Sequence, residues 1–172
     1  RASYCAFLDL GRHKILSASP ELFFTLDRGT LTTRPMKGTR PRGRWASEDL
    51  ALANELLSAE KDRAENLMIV DLLRNDVGRV AEIGSVSVPA LWQVERYETV
   101  WQMTSTVTAR LRQGSGPSEI LQALFPCGSV TGAPKVRTME IISELETSPR
   151  GVYTGSIGYI SPGPEMAFNV AI

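Results

Sequence analysis

The sequence is poor in the residues that mark several common protein classes. Its two cysteines, Cys5 and Cys127, and its single histidine, His13, are too few for a disulfide framework or a Cys/His metal cluster. Nineteen basic residues balance nineteen acidic ones, so a basic nucleic-acid-binding surface is not expected. No apolar run approaches the roughly 20 residues that cross a bilayer, and no secretory leader opens the chain. These absences favour a cytoplasmic protein without nucleic acid or membrane partners.

What is present suits one globular unit. A chain of 172 residues with 42% hydrophobic content can build a core, and no linker or repeat divides it. The chain starts without methionine close to an apolar segment and stops inside another at Ile172. Natural termini usually lie outside such segments. We therefore interpret residues 1–172 as a single domain that is partial and incomplete at both ends.

Residue patterns predict a mixture of strands and helices. Apolar and β-branched runs indicate strands over 4–10, 14–19, 22–26, 31–33, 85–94, 98–112, 151–160 and 167–172. Helical spacing indicates a helix from Ser47 to about Asn75, with a break near Ser58, and a second from an N-cap at Ser118 to Leu124. A third helix is predicted over 134–145. The order favours an α+β fold with mainly antiparallel sheets and helices outside them.

Lys37 lies in a basic stretch, residues 34–43, that contains two prolines and two glycines. These residues predict an irregular backbone with a fixed path. A lysine held in this way can serve as a nucleophile if its surroundings favour the neutral amine. The alternative is a solvated basic loop, which the residues alone favour.

Asp62 and Glu65 are three positions apart in the predicted helix, so their carboxylates project from one face. Hard oxygen ligands of this kind suit Mg²⁺, which takes one or two protein carboxylates with substrate oxygens and water. Two carboxylates do not complete such a site. Charged pairs of this spacing are more often solvated surface.

Three further positions have both a functional and a structural interpretation. The small-residue loop at 125–135, which contains Ser129, can bind an anion at a helix start or can serve turn geometry alone. Glu21 can act as a general acid if burial raises its pKa, or can be an ordinary edge glutamate. Tyr153 can donate a hydrogen bond to a carboxylate, or can simply pack.

Taken together and in order, these stretches resemble the chorismate-binding enzyme family across essentially the whole chain. That family fold consists of stacked, mainly antiparallel sheets with outer helices, closing over chorismate and Mg²⁺. The matching stretches are Ser19–Glu21, Lys37–Pro41, Asp62–Leu72, Arg74–Asp76, Gly128–Lys135 and Gly155–Tyr159.

The resemblance also implies roles for individual residues. Glu65 matches a metal-binding glutamate, with Asp62 as a neighbouring acidic position, and Glu21 matches the general acid that protonates the leaving hydroxyl. The positions that match substrate-contacting residues are Gly38, Thr39, Ser129 and Tyr153.

Lys37 distinguishes branches of the family. Relatives that form anthranilate or isochorismate usually carry alanine there, whereas those that aminate chorismate carry lysine. The resemblance implies that Lys37 attacks ring C2 as hydroxide leaves C4, and that ammonia then adds at C4 and releases the lysine. The implied product is 4-amino-4-deoxychorismate, on the route to para-aminobenzoate and folate, with ammonia from a glutamine amidotransferase subunit or fused domain.

Two departures from the family pattern keep other interpretations open. Gln102 stands where many relatives have histidine, and the family's substrate-binding arginine, glycine-rich loop and second metal glutamate are expected beyond Ile172. An anthranilate or isochorismate/salicylate synthase-type enzyme is one alternative, and a non-catalytic fragment or binding module is another. We expect activity from a longer protein and not from this chain alone.

Overall fold

The computed structural model describes residues 3–163 and 165–172. That part of the chain contains nine strands and five helices. In chain order they are β1 (Tyr4–Asp9), β2 (Lys14–Ser19), β3 (Leu22–Asp27), β4 (Thr30–Arg34), β5 (Met36–Pro41), α1 (Ala46–Ser58), α2 (Glu60–Gly78), β6 (Ser87–Arg96), β7 (Val100–Arg110), α3 (Pro117–Leu124), α4 (Gly128–Thr131), α5 (Lys135–Leu145), β8 (Ser156–Ile160) and β9 (Met166–Val170).

Seven of these strands form one antiparallel sheet, in the order β5-β7-β4-β3-β9-β8 with β6 also paired to β7. β1 and β2 form a separate antiparallel hairpin. Helices α1 and α2 pack against strands of the large sheet, and α3 packs against α2. The predicted α+β class with mainly antiparallel strands is therefore confirmed.

The prediction of an irregular backbone around Lys37 was wrong over most of its length. Residues 36–41 form β5, and β4 and β5 follow one another along the same edge of β7. Pro35 separates the two strands because it has no N–H to donate to the ladder. Its carbonyl still accepts the Ser105 N–H at 3.2 Å, so the edge is continuous across the proline.

The helices follow the predicted periodicity, with local corrections. The break expected near Ser58 is confirmed: α1 ends there, and Ala59 has an extended backbone before α2 begins. The N-cap of α3 is Gly116, not Ser118 as predicted. Pro117 opens the helix, and the Glu119 carboxylate accepts the Gly116 N–H at 2.8 Å. A proline at the first helical position is favoured because its missing N–H would be unpaired there.

The strand predicted over 151–160 starts later than expected. Residues 151–154 form a turn, and β8 begins at Ser156. Gly151 and Thr154 both have φ of 64°, a left-handed conformation that ends an extended run. The turn places Tyr153 outside the sheet.

The main core lies between the sheet and helices α2 and α3. Its largest fully buried side chains include Phe23, Phe24 and Leu31 from the strands and Ile120 and Leu124 from α3. This packing holds the strands that carry the candidate site. In residues 3–163 and 165–172, no helix is both long enough and apolar enough to cross a membrane.

Candidate active site

A cavity of about 850 Å³ lies where the start of β3, strand β5, helix α4 and the 145–154 segment meet. Four of the residues singled out from the sequence line this cavity together: Glu21, Lys37, Ser129 and Tyr153. They come from positions 16 to 132 residues apart in the sequence. The fold therefore brings a carboxylate, an amine and two hydroxyls to one space.

Glu21 is the most deeply buried of the four, at 5% exposure. Its backbone is fixed on both sides: its N–H donates to Ser19 Oγ at 3.2 Å, and its carbonyl accepts the Val170 N–H at 3.1 Å. Burial raises the pKa of its carboxyl, while the Ser129 side chain, the Met36 backbone and the charge of Lys37 oppose that rise. Among the described residues, its Oε1 atom has no hydrogen-bond partner.

These properties suit a proton donor. Burial without full pairing favours the neutral carboxyl, which has a proton to give. A carboxyl that faces an open cavity can deliver that proton to a leaving group of a bound substrate. The edge-glutamate alternative does not describe Glu21, which is buried.

Lys37 reaches the cavity from a β-bulge. The register of β5 against β7 shifts between Met36 and Thr39, so Lys37 and Gly38 occupy the extra length on β5. Gly38 has φ of 101°, and a Cβ there would lie 3.1 Å from both Asp62 Cβ and Leu56 Cδ1. Both the positive φ and these short distances favour glycine at position 38. Bulges beside active sites commonly redirect a side chain, and here Lys37 lines the cavity with Glu21.

Thr39 lies beyond the bulge, and its hydroxyl is already engaged. Thr39 Oγ1 donates to Gln102 Oε1 at 3.0 Å. Gln102 therefore pairs with a predicted substrate-contacting residue from the neighbouring strand β7. Gly38, Thr39 and Gln102 lie next to the cavity-lining segment but are not part of the cavity wall.

The predicted metal ligands lie on α2, in different surroundings from one another. Asp62 forms an ion pair with Arg40 Nη2 at 3.0 Å and is 17% exposed. Glu65 is 45% exposed, and its Oε1 atom lies 3.9 Å from Lys61 Nζ. Neither residue lines the cavity described above.

Glu65 therefore fits a metal better than Asp62 does. Its carboxylate is accessible and only loosely paired, whereas Arg40 already neutralises that of Asp62. Across residues 3–163 and 165–172, no group of three His, Cys, Asp or Glu side chains forms a complete metal site. A single accessible carboxylate is compatible with Mg²⁺, which relies on water and substrate oxygens for its other ligands.

Ser129 lies on α4, in the loop between α3 and α5. Gly128 packs so closely on α2 that an added Cβ would lie 2.6 Å from Leu72 Cδ2. Cys127 Sγ lies 3.2 Å from Ser129 Oγ. Burial raises the pKa of the Cys127 thiol to about 11, so that thiol stays protonated near neutrality and is not a thiolate nucleophile.

Arg150 is a cavity residue that the sequence patterns did not single out. It lies three residues before Tyr153, forms an ion pair with Glu146 and donates to Thr154 Oγ1 at 3.3 Å. Its guanidinium adds a second cation to a cavity that already contains Lys37. The available signal was its place in Ser148–Gly151, a turn-forming stretch before a strand, but that pattern does not indicate chemistry.

The family model described as chorismate binding enzyme matches residues 1–172. The chain therefore belongs to the chorismate-binding enzyme family. The resemblance inferred from the sequence motifs is confirmed at this level.

The individual relatives are named for two different activities within the family. The chain is 58% identical over 161 residues to an aminodeoxychorismate synthase of Streptomyces griseus, and the alignment covers 93% of this chain and 22% of that protein. It is 54% identical over 172 residues to aminodeoxychorismate synthase component 1 of Escherichia coli, in an alignment that covers all of this chain and 38% of that protein. It is 50% identical over 169 residues to anthranilate synthase component 1 of Aquifex aeolicus, in an alignment that covers 98% of this chain and 34% of that protein.

A solved structure shows the same fold. The crystal structure of anthranilate synthase component I from Streptococcus pneumoniae TIGR4 superposes with a TM-score of 0.89 at 44% identity, covering 99% of this chain and 37% of that one. The chain thus spans between about a fifth and two fifths of the length of these relatives.

Proposed function

We propose that this chain is the part of a longer chorismate-aminating enzyme that carries its nucleophile and its general acid. The product would be 4-amino-4-deoxychorismate, and ammonia would come from a glutamine amidotransferase subunit or fused domain. The observation that carries the proposal is that Lys37 and Glu21 line one cavity. Aminodeoxychorismate synthases at 54% and 58% identity support this branch of the family.

The proposed reaction divides an amination into two displacements. The neutral amine of Lys37 forms a bond to ring C2 of chorismate, both conjugated ring double bonds shift, and the C4 hydroxyl leaves. Glu21 protonates that hydroxyl, so it departs as water and not as hydroxide. Ammonia then adds at C4, both double bonds shift back, and the C2–nitrogen bond to Lys37 breaks. The new ammonium group at C4 loses a proton, which returns to the Glu21 carboxylate. The net change replaces a hydroxyl with an amino group and releases one water.

The geometry supports this division of roles. Glu21 is buried with one oxygen unpaired among the described residues, which favours a carboxyl that retains its proton. Lys37 lies on a β-bulge that the glycine at position 38 allows. The strand pairing fixes its backbone position, and its side chain lines the same cavity as Glu21. Ser129 and Tyr153 line the same cavity, where their hydroxyls would contact the substrate.

Glu65 would contribute a ligand to Mg²⁺, with Asp62 as a neighbouring acidic group held by Arg40. When bound, the metal would neutralise substrate carboxylate charge and favour departure of the hydroxyl. Gly38 and Thr39 would position the substrate beside the bulge. The remaining substrate and metal contacts would come from elsewhere in the longer protein.

The test uses the full-length protein that carries this sequence, with chorismate, Mg²⁺ and ammonium, and identifies products by mass. We expect aminodeoxychorismate from the unmodified protein and its loss or diversion in Lys37→Ala. Lys14→Ala is the matched control, because Lys14 is an exposed lysine outside the cavity wall, and it should behave like the unmodified protein.

Other products would select a different function. If both the unmodified protein and Lys37→Ala form anthranilate or isochorismate, the protein still acts on chorismate, but its assignment to the aminating branch of the family is overturned. No turnover at all, with chorismate still binding, would favour a non-catalytic binding module.

A further inference from the structure

The largely buried ammonium group of Lys135 joins three helices next to the candidate site. Lys135, the first residue of α5, forms an ion pair with Asp76 near the end of α2 and donates to the Leu124 carbonyl at 2.9 Å. The side chains of Lys135 and Asp76 are only 12% and 5% exposed. None of the catalytic or substrate-binding roles proposed above uses this pair.

The position of Lys135 in the chain makes the contact informative. Leu124 ends α3 immediately before the loop 125–134, and Lys135 follows that loop directly. One ammonium therefore fixes both ends of the loop to each other and, through Asp76, to α2. The loop also contacts α2 in its middle, where Gly128 packs on Leu72 one turn before Asp76.

The loop fixed in this way contains Ser129, and Ser129 is one of the groups that face Glu21. The Ser129 side chain, the Met36 backbone and the Lys37 charge all lower the pKa of Glu21 against the effect of burial. A movement of the loop would withdraw Ser129 and leave the other two contacts, which come from β5. Cys127, which lies beside Ser129, also senses the charge of Lys135.

We propose that Asp76 and Lys135 are positioning residues that hold Ser129 against Glu21 by closing the loop 125–134 on α2. This inference rests on the proposed function for its kinetic consequences, but the loop position is a structural property that can be measured separately. The pair acts through Ser129 and does not touch the cavity itself.

The test must separate positioning from simple stabilisation. Removing one partner of a buried ion pair is strongly destabilising, whereas replacing both with apolar residues is often neutral. The informative variant is therefore the double substitution Asp76→Leu/Lys135→Met in the full-length protein. Lys135→Arg is the conservative variant, since a guanidinium can still donate to both Asp76 and the Leu124 carbonyl. Asp71→Asn/Arg74→Gln, an exposed pair on the same helix, is the control.

Three measurements follow on each variant: the unfolding midpoint, hydrogen–deuterium exchange of peptides from residues 125–134, and the pH dependence of kcat. In the double variant we expect a nearly unchanged midpoint and faster exchange in 125–134. We also expect kcat/KM to fall roughly 10- to 100-fold, the size of effect that a small misplacement of a site group produces.

The pH profile provides the readout that a purely stabilising role would not change. Glu21 acts in its protonated form, so kcat falls as pH rises through its pKa. Loss of the Ser129 contact raises that pKa further, so the alkaline limb should move to higher pH in the double variant. Lys135→Arg and the surface control should keep the original limb.

Unchanged hydrogen–deuterium exchange of residues 125–134 in the double variant would overturn the positioning role. So would a loss of kcat/KM that disappears once stability is restored, with the alkaline limb of the pH profile at its original position. If exchange rises in the double variant but the unmodified protein makes no aminodeoxychorismate, the proposed function fails and the closure of the loop stands.

Discussion

Two carboxylates in different regions of this molecule have opposite surroundings. At the start of α1, Asp49 accepts hydrogen bonds from Arg42, the Gly43 N–H and the Trp101 indole, and Arg42 also stacks over that indole at 4.8 Å. At the start of β3, Glu21 is buried and its Oε1 has no partner within the described part of the chain. The first carboxylate is held charged, whereas the second is pushed towards its neutral form.

This difference is our basis for assigning a structural role to Asp49 and for proposing a chemical role for Glu21. Hydrogen bonds to the charged form lower the pKa of Asp49, and the largest contribution comes from Arg42. Burial raises the pKa of Glu21. A carboxylate with all its partners in place has no proton to transfer and stabilises the fold. A buried carboxyl with one oxygen that lacks a hydrogen-bond partner is suited to proton transfer, and perturbed pKa values of this kind are common among groups in functional sites.

The largest expected effect is on catalysis at Glu21. Glu21→Gln in the full-length protein should lower kcat by roughly 10²- to 10⁴-fold, because a positioned general acid contributes about that much. The unfolding midpoint at neutral pH should not fall, since a neutral amide replaces a buried carboxyl. Glu60→Gln, at an exposed glutamate on α2, should leave kcat unchanged. A large loss of stability with normal kcat in Glu21→Gln would reverse the comparison.

A smaller effect is expected on the open side of the cavity. Tyr153 is 63% exposed and lines the cavity that the substrate would fill. Tyr153→Phe should raise KM for chorismate by roughly 10- to 100-fold, since a hydrogen bond to a charged group contributes roughly 1.5–3 kcal/mol. Tyr159→Phe, an exposed tyrosine of β8 outside the cavity wall, is the control and should have a normal KM.

At Asp49 the expected effect is on stability alone. Asp49→Asn removes the charge that Arg42 pairs with and weakens its contacts with Gly43 and Trp101. Chemical denaturation should show a lower unfolding midpoint with kcat per folded molecule unchanged. Asp71→Asn is the matched control because that residue belongs to an exposed pair with Arg74, and exposed pairs contribute little. A specific loss of kcat in Asp49→Asn would contradict the structural assignment.

The subtlest difference between the two carboxylates is the pH range in which each affects stability. Glu21 has a pKa raised above its ordinary 4.5, so its favourable contribution is present below that value and is lost as pH rises through the folded pKa. Asp49 has a pKa below its ordinary 3.8, so its contribution is present above that value and is lost as pH falls towards the folded pKa.

Denaturant unfolding at a series of pH values distinguishes the two. As pH rises above 4.5, the wild-type protein should lose stability relative to Glu21→Gln, while its advantage over Asp49→Asn stays constant. The advantage over Asp49→Asn should shrink only below about 3.8. Parallel curves of stability against pH for the wild-type protein and Glu21→Gln would show that burial does not raise the pKa of Glu21.

The sequence predicted the elements more fully than the contacts between them. Helical periodicity located α1 and α2 and the break at Ser58, because those signals are local. The motifs also selected Glu21, Lys37, Ser129 and Tyr153, which meet in one cavity. The bulge at Lys37 was not predicted, since it depends on the register of β5 against β7 far along the chain.

Long-range pairing explains the other differences as well. Asp76 and Lys135 are 59 residues apart, so nothing local in either segment indicates that they meet. Arg150 lies in a turn-forming stretch, and its place in the cavity wall depends on residues of β5 and at the start of β3 that are more than 100 positions away in the sequence. The engagement of Asp62 by Arg40 likewise arises from the packing of α2 on β5.

The central claim is that Lys37 becomes bonded to the substrate beside Glu21, and trapping that bond tests it most directly. The full-length protein is incubated with chorismate and Mg²⁺ without ammonia, quenched, digested and analysed by peptide mass. We predict an adduct of chorismate less one water on the peptide that contains Lys37, unchanged in Lys14→Ala and strongly reduced in Glu21→Gln. Amination that proceeds at the normal rate in Lys37→Ala, with no adduct in the unmodified protein, would contradict the claim.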